Sequence, residues 1–398
     1  MDATQYKQAI LQTLDAIGGE VTACADAIHG YAELSGEEHR SAAALEELLE
    51  HHGFAVERGL KDLPTAFRAV YGSGPVRIGF MCEYDALEGL GHACGHHMQG
   101  PAILGAAKAL KDAAIDAPYT ITVYGTPAEE TISGKVVMLE NGCTFEELDV
   151  ALMMHGGPAT QVDVKSLALN KLKIIYHGVC SHAALKPEKG RSALDGLILA
   201  CQGVEFLREH VPSDVRMHYT IVNCGGTAAN VVPGYAEASM YVRSYNRTEL
   251  DGVVARVRKV LQGAAMMTET EVEIIEEKSL DNKIPVLALN ELVMEQAEKV
   301  HAPCIRPARQ KTGSTDFGNV MRHVPGTCIR VAFVPEGAAA HSQEYLDAGK
   351  TEAAHNAVVY GAKILALTGA QLIEDPEKLE AIKKEFHENL AKELNGQS

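Results

Sequence analysis

The segment 91–97 of this sequence carries one cysteine and three histidines: His92, Cys94, His96 and His97. Thiolate and imidazole groups are common ligands of zinc and other transition metals. A Cys-x-His pair on a glycine-containing loop ahead of a helix favours chelation of a metal ion, and a buried thiol beside surface histidines is the alternative. Because four such side chains seldom cluster after a strand by accident, the segment predicts a metal site.

Two carboxylates and two isolated histidines follow along the chain. Glu129 and Glu130 come directly after a predicted strand, His155 ends another apolar strand, and His341 lies in a loop of small residues. Adjacent carboxylates point in different directions, so one can bind a metal while the other accepts a proton from water and returns it to a leaving amine. These residue types predict metal-assisted hydrolysis.

Two other functions are compatible with the sequence. Cys180, Ser181 and His182 place a thiol, a hydroxyl and an imidazole side by side. Sequence neighbours rarely form a catalytic triad, because the base must reach the nucleophile in space and needs an orienting group of its own. A non-catalytic protein that only binds metal is the second alternative. It predicts no carboxylate besides the ligands, and the presence of Glu129 argues against it.

Composition limits the class of protein and of partner. A chain of 398 residues, 46% hydrophobic and 22% charged, can form two domains with a large core. The net charge of -17 disfavours nucleic acid and anionic membranes as partners. The nine cysteines lack a framework spacing, which predicts reduced thiols and a cytoplasmic location. A polar N-terminus and the lack of a long apolar run predict neither a secretory signal nor a membrane span.

Strands and helices alternate in the first part of the chain, which predicts a layered α/β sheet. The candidate residues follow the ends of predicted strands, at 82–85, at 126–130 and at His155. Ligand sites in open α/β sheets gather at the carboxyl ends of the strands. The pattern therefore predicts one site at one edge of the sheet.

The pattern then changes to the order β-α-β-β-α-β, which is typical of a ferredoxin-like α+β domain. We predict that residues 168–280 form an inserted domain and that 1–167 together with 281–398 form the metal-binding catalytic domain, with a mixed sheet. The tail after Asp375 is predicted to be a charged, solvent-facing helix.

Three segments, 83–87, 89–96 and 125–130, resemble the dinuclear metallopeptidases of the M20 family, of aminoacylase and glutamate-carboxypeptidase type. They are most similar to its amidohydrolase branch, which includes hippurate hydrolases, auxin-conjugate hydrolases and p-aminobenzoyl-glutamate hydrolase. Segments 178–187, 230–233 and 313–316 also fit in order, so the resemblance covers nearly the whole chain. It implies a catalytic domain interrupted by a ferredoxin-like domain that usually dimerises.

The resemblance also implies a role for each matching residue. Glu129 would be the general acid and base, Asp85 would orient a ligand, and His182, often from the partner subunit, would polarise the scissile carbonyl. The side chains implied to bind the substrate, two of them near its carboxylate, are Asn230, Arg243 and Ser314. The implied metal ligands are Cys94, His96, Glu130, His155 and His341.

The activity that the resemblance implies is hydrolysis of small N-acyl or N-aroyl amino acids, with a dipeptidase as the alternative. The implied cofactors are two divalent ions, zinc or manganese with cobalt as an alternative, and the implied partner is a second copy bound through the inserted domain. His97 stands where this branch commonly has Asp or Asn, and Glu88 stands where Pro is usual. Both departures concern metal preference and pocket shape more than the reaction.

Overall fold

A computed structural model describes residues 3–395 of the chain. The helices are α1 Ala3–Tyr31, α2 His39–His51, α3 Gln99–Asp112, α4 Gly134–Glu140, α5 Ala193–Leu207, α6 Arg247–Thr268, α7 Leu287–Lys299, α8 Phe317–Val320, α9 Gln343–Ala348, α10 Glu352–Glu374 and α11 Pro376–Leu394. The strands are β1 Ala55–Arg58, β2 Phe67–Gly72, β3 Val76–Cys82, β4 Tyr119–Gly125, β5 Val150–Gly157, β6 Gln161–Ser166, β7 Ala168–His177, β8 Ser181–His182, β9 Arg216–Asn223, β10 Val231–Val232, β11 Tyr235–Ser244, β12 Glu271–Leu280, β13 Arg309–Thr312 and β14 Gly326–Ala332.

The chain divides into two compact units. The first comprises the described part of Met1–Lys165 together with Lys283–Leu390, and the second comprises Ser166–Asn282 together with the described part of Ala391–Ser398. Within the second unit, the Glu393 carboxylate accepts hydrogen bonds from the Arg247 backbone N–H and the Asn282 amide. The end of the chain therefore groups with the second unit, although the predicted boundaries assign it to the catalytic domain.

The first unit is built on an eight-stranded mixed sheet in the order β1-β2-β4-β3-β5-β14-β6-β13. Strands β4, β3, β5 and β14 are parallel, whereas β2 and β6 run antiparallel to their neighbours β4 and β14. Alternate side chains enter two separate cores, since Phe80 packs with α1, α3 and α10 while Met81 packs with α4 and α8. Helices thus cover both faces, and the predicted layered α/β fold with a mixed sheet is confirmed.

Helix α10 passes through the centre of the larger core. The Thr351 hydroxyl accepts a hydrogen bond from the Ala354 N–H and caps its first turn. Among the described residues α10 alone is long and apolar enough to cross a membrane, but 72% of its most apolar stretch is buried within the fold. Its hydrophobicity is therefore accounted for by core packing.

The prediction of a solvent-facing tail is wrong for one side of helix α11. Leu379, Ile382 and Phe386 are buried and pack into the larger core of the first unit. These residues recur every three or four positions, which places them on a single face of a helix. The many charged residues between them mask this apolar stripe in the sequence.

The second unit has a four-stranded antiparallel sheet in the order β12-β7-β11-β9. Helices α5 and α6 pack on one face through Leu197 and Val257, against alternate buried residues of β11 such as Ala238 and Met240. The chain order of these elements is the predicted β-α-β-β-α-β, with the short ribbon of β8 and β10 added outside the main sheet.

Candidate metal centre

The strand ends that carry the candidate residues meet at one edge of the large sheet. Strands β4, β3 and β5 are neighbours and run parallel, so their carboxyl ends lie together. After β3 the chain enters the loop of Cys94 and His96. Gly95 has a φ of 87°, a left-handed conformation that glycine adopts readily, and there the chain turns into α3. The local backbone thus points both side chains back toward the strand ends.

Ligand atoms of the five predicted metal-binding side chains converge there. Cys94, His96 and His155 form one group, and Cys94, Glu130 and His341 form another, with the ligand atoms of each group within 4.8 Å of one another. The Cys94 sulfur belongs to both groups, so one thiolate can contact two ions. The loop of His341 is held in place by a hydrogen bond from its N–H to the Ala93 carbonyl oxygen, 2.9 Å long.

Hydrogen bonds orient the two imidazoles of the first group. Nδ1 of His96 lies 3.0 Å from Oδ1 of Asp85, whose other oxygen accepts hydrogen bonds from the Ser35 hydroxyl and the Glu130 N–H. Nδ1 of His155 lies 2.7 Å from the Gly156 carbonyl oxygen, and its Nε2 lies 3.6 Å from Sγ of Cys94. A proton held on each Nδ1 leaves the Nε2 lone pairs for a metal.

The charges in the cluster fit divalent cations. Burial opposes ionisation of Cys94, but the charge of His96 and hydrogen bonds from His155 and His341 lower its pKa well below the usual value for a thiol. Hydrogen bonds to Cys94 and Glu130 raise the pKa of His341 to about 10. A thiolate and carboxylates that draw protons onto imidazoles in this way offer the same negative charge to metal ions. Thiolate, imidazole and carboxylate ligands suit zinc and related ions.

Glu129 also belongs to this cluster, because its carboxylate forms one further group with His96 and Glu130 and another with Glu83 and Asp316, with the ligand atoms of each group within 4.8 Å of one another. Burial, followed by the charges of Glu83 and Asp316, raises the pKa of the Glu129 carboxyl well above its usual value. Ala128 has a φ of 61° and donates its N–H to Oε1 of the buried Glu38, at 2.9 Å. A non-glycine residue in this conformation is strained, and such strain is frequent next to functional groups.

Sequence reasoning missed a buried ion network behind the cluster. The Lys135 ammonium lies 2.5 Å from Oε1 of Glu83 and 2.8 Å from Oδ1 of Asp316, and its side chain is 0% exposed. Oε2 of Glu83 in turn lies 3.3 Å from Nε2 of His96. Lys135 is in α4 and Asp316 precedes α8, so no local spacing could have indicated that these charges meet.

His92 and His97 lie outside the ligand groups found among the described residues, contrary to the expectation that they join the cluster. Both are buried, and the His97 ring meets the His29 ring edge-on at 4.7 Å. Nε2 of His97 lies 2.8 Å from the Gly349 carbonyl oxygen. Burial lowers the pKa of His92 to about 3 and that of His97 well below its usual value, so both rings are neutral.

A cavity of about 400 Å³ opens onto the cluster. The ligand side chains and Glu129 line it, together with Ser314, whose hydroxyl oxygen is buried without a hydrogen-bond partner among the described residues. Arg309 and Arg330 line another part of the wall. The predicted substrate-binding Ser314 is therefore in the same cavity as the predicted ligands.

The other three predicted site residues belong to the second unit. His182 is exposed on β8 and pairs with Val231 of β10, and the Ala183 N–H donates to the Asn230 carbonyl oxygen, so His182 and Asn230 are neighbours. Arg243 lies at the far end of β11, eight positions beyond Tyr235 and roughly 26 Å along the strand. Within one chain, the structure does not bring Arg243 to Asn230.

The comparisons with known proteins agree with this geometry. The model of peptidase family M20/M25/M40 matches residues 79–367. An Xaa-Arg dipeptidase of Mus musculus is 34% identical over 97% of this chain and 93% of its own length. One of the p-aminobenzoyl-glutamate hydrolase subunits of Escherichia coli (strain K12) is 30% identical over 92% of each chain. The YxeP protein of Bacillus subtilis, described as a dinuclear metal binding peptidase from the M20 family, has a similar structure, with a TM-score of 0.70, 19% identity and coverage of 90% of this chain and 99% of that chain.

A layered α/β fold with a cysteine, histidine and carboxylate cluster at its strand ends is typical of a metallohydrolase. The chain belongs to peptidase family M20/M25/M40 and is an amide hydrolase of that family. Family membership decides against the non-catalytic metal-binding protein that the sequence left open.

Proposed function

We propose that this protein hydrolyses the amide bond of small N-acyl or N-aroyl amino acids with a water molecule activated at a pair of divalent metal ions. The observation that carries this proposal is the convergence of two overlapping ligand groups, which share Cys94, beside the carboxylate of Glu129. The similarity to a p-aminobenzoyl-glutamate hydrolase supports this substrate class.

We infer that Cys94, His96, Glu130, His155 and His341 hold the ions. Cys94 would contact both ions, because its sulfur belongs to both groups. The ligand types support zinc or manganese, with cobalt as an alternative, since thiolate and imidazole favour zinc and carboxylate suits manganese. Oδ1 of Asp85 fixes the ring of His96 through the 3.0 Å hydrogen bond, and Oδ2 of Asp85 accepts a hydrogen bond from the Glu130 N–H and so positions that backbone.

Bound divalent ions would supply Lewis acidity, which lowers the pKa of water and polarises a carbonyl group. Glu129 accepts the proton of the attacking water and passes it to the departing amine. The position of its carboxylate supports this role, because it lies on the cavity wall beside the ligand groups, where an attacking water would be held. His182 is the predicted donor to the oxygen of the tetrahedral intermediate, and Asn230, Arg243 and Ser314 are the predicted substrate-binding side chains.

Glu129→Gln tests the proton-transfer role. We expect kcat to fall by about 10²–10⁴-fold, because general acid–base catalysis contributes that much, while two metal ions per chain are retained. The matched control is Glu140→Gln, which changes an exposed glutamate outside the cavity. Near wild-type turnover in Glu129→Gln would refute the assignment, and loss of metal would show that Glu129 is a ligand instead.

His182→Ala tests the second unit's part in catalysis. We expect a lower kcat with unchanged metal content, because the histidine is predicted to contact the substrate and not the ions. His177 is also an exposed histidine of the same unit, so His177→Ala is the control. Unchanged kinetics in His182→Ala would refute the role.

A dipeptidase is the second candidate, because the Mus musculus relative is an Xaa-Arg dipeptidase. A panel of N-acyl amino acids, aryl-glutamates and free dipeptides separates the two activities. Each substrate is measured with the protein as purified, after chelation, and after addition of zinc, manganese or cobalt. Turnover that disappears with chelator and returns with one metal identifies the metal together with the substrate group.

We also propose that the second unit forms a homodimer. On α5 the side chains of Ile198 and Phe206 are 46% and 73% exposed, and β9 is an edge strand with exposed Ile221 and Val222. Apolar side chains beside an unpaired strand edge favour pairing with a second copy. Sedimentation should give a dimer for the wild type and a monomer for Phe206→Glu, and a monomeric wild type would refute the proposal.

Cysteines without a framework spacing also support a reducing, cytoplasmic location.

A further inference from the structure

One wall of the cavity carries a surplus of positive charge. Asp163 of β6 lies between Arg330 of β14 and Arg309 of β13, which are the neighbouring strands in the sheet. Oδ1 of Asp163 is 2.7 Å from Nε of Arg309, and Oδ2 is 3.2 Å from Nε of Arg330 and 3.5 Å from Nζ of Lys283. All four side chains line the same cavity as the metal-ligand cluster. We call this group the cationic wall.

The carboxylate of Asp163 contacts three cations but carries one negative charge. Its side chain is 1% exposed, and although burial acts in the opposite direction, the charges of Lys283 and Arg330 hold its pKa well below the usual range. Asp163 is therefore ionised, and its one negative charge faces the guanidinium groups of both Arg309 and Arg330, so these two side chains keep a surplus of positive charge beside the cavity.

The arginines use only part of their hydrogen-bonding capacity. Arg309 contacts Asp163 through Nε, and its two terminal nitrogens make no hydrogen bond to the described residues. Arg330 uses Nε for Asp163 and Nη1 for the Gly156 carbonyl oxygen. A guanidinium group whose terminal nitrogens are unused presents the fork that pairs with a carboxylate through two hydrogen bonds.

The wall lies within reach of the reacting bond. Arg330 is in register with His155 on the adjacent strand β5, and its Nη1 lies 3.2 Å from Nδ1 of that predicted ligand. Arg309 follows two strands farther along the same edge, a displacement of about 10 Å at the usual strand spacing. A group bound by Arg309 therefore belongs to the molecule whose amide lies at the metal centre.

We propose that the cationic wall binds a carboxylate in the side chain of the substrate, so that the preferred substrates are amides of glutamate or aspartate. This inference rests on the proposed function. It also distinguishes this chain from a dipeptidase for cationic residues, because an arginine or lysine side chain would be repelled by Arg309 and Arg330. Asp163 is a positioning residue, since it holds both guanidinium groups by Nε and leaves the two terminal nitrogens of Arg309 and Nη2 of Arg330 without a hydrogen bond to the described residues.

A pair of substrates that differ only in charge tests the wall. p-Aminobenzoyl-glutamate and p-aminobenzoyl-glutamine have nearly the same shape, but only the former has a side-chain carboxylate. We expect the wild type to prefer the glutamate amide by about 10–100-fold in kcat/KM, the range of a charged hydrogen bond. Arg309→Gln should remove most of this preference by raising KM for the glutamate amide, with little change for the glutamine amide.

Arg306→Gln is the matched control, because Arg306 is exposed and pairs with Glu336 outside the cavity. It should leave the preference unchanged. Arg309 is itself 35% exposed, and Asp163 keeps Arg330 and Lys283 as partners in the variant, so the fold is expected to survive. Equal kcat/KM values for the two amides in the wild type, or a preference that survives Arg309→Gln, would overturn the proposal.

Calorimetric binding to the metal-free protein separates this inference from the proposed function. If the glutamate amide binds more tightly than the glutamine amide and this difference is lost in Arg309→Gln, the result supports the cationic wall even without any turnover. If no amide is turned over with metals bound, the result counts against the proposed hydrolysis alone. Turnover with equal affinity for both amides would overturn the wall and keep the hydrolysis. Faster hydrolysis of an arginine dipeptide than of the glutamate amide would also overturn it.

Discussion

Replacement of Lys135 by methionine should destabilise the first unit, because it removes the cation between two buried carboxylates. Lys135 and Asp316 are 0% exposed and Glu83 is 3% exposed, so water cannot take over the role of the ammonium group. Methionine keeps most of the volume of lysine, so the change is mainly electrostatic. Removal of one partner from a buried ion pair costs about 3–5 kcal/mol. At about 2 °C per kcal/mol for a unit of this size, the unfolding midpoint should fall by about 6–10 °C.

The assay is thermal unfolding of the chelated protein, so that metal binding does not mask the change. Lys383→Met is the matched control, because Lys383 pairs with Asp149 at 2.9 Å but its side chain is 32% exposed. A pair of this kind contributes at most about 1 kcal/mol. If Lys135→Met lowers the midpoint no more than Lys383→Met, the buried network does not stabilise the fold as argued.

The pH dependence of the Lys135→Met penalty gives a second check. In the wild type, burial raises the pKa of Asp316, whereas burial of Glu83 is outweighed by the charges of Lys135, His96 and His155 together, which lower its pKa. Without the lysine, the pKa values of both carboxyls rise above their values in the unfolded chain. Carboxyls with raised pKa values favour the folded state at low pH, and that contribution is lost as the pH rises. The penalty should therefore be larger at pH 8 than at pH 5, and the opposite trend would contradict the assignment.

In metal-free protein at pH 6, iodoacetamide should alkylate Cys94 before the buried Cys24. The reason is that the pKa of the Cys94 thiol is well below its usual value, whereas that of Cys24 is raised to about 12. Peptide mass spectrometry measures the alkylation of each cysteine, and added zinc should protect Cys94. Gly134→Ala should weaken metal binding by about tenfold, as measured by metal titration, because a Cβ there would lie 1.8 Å from the Pro127 carbonyl oxygen in the segment that leads to Glu129. Chelation should lower the unfolding free energy by about 2.7 kcal/mol relative to protein held at 100 Kd of metal, and an unchanged melting midpoint would show that the cluster binds no ion.

Elements with a strong local pattern can be delimited from the sequence. Val76–Cys82 and Tyr119–Gly125, the observed β3 and β4, are continuous apolar and β-branched runs that end at turn residues. Strand β13, with the sequence Arg-Gln-Lys-Thr, was missed since an edge strand of polar residues has no periodic signal. Strand β12 continues to Leu280, past an irregularity between Glu276 and Lys278 that breaks the alternation, so the sequence pattern does not indicate where the strand ends.

The sequence by itself determined the chemical inventory of the site. Cys94 and His96 are two positions apart on one loop and Glu129 and Glu130 are adjacent, so short-range spacing and the strands before them were enough to predict a metal site with a carboxylate beside it. Binding of a metal by neighbouring residues depends on local backbone geometry, which sequence spacing describes well. The resemblance of several ordered motifs supplied the family.

Tertiary structure alone decided which distant charges meet. His341 reaches Cys94 because its loop is hydrogen-bonded to Ala93. The cationic wall forms because β14, β6 and β13 are neighbours in the sheet, although Asp163 and Arg309 are far apart in sequence. The same sheet and helix packing buries His97 away from the cluster, one position after a predicted ligand. Strand order and helix packing are set by the burial of apolar surface over the whole unit, and no local spacing records them.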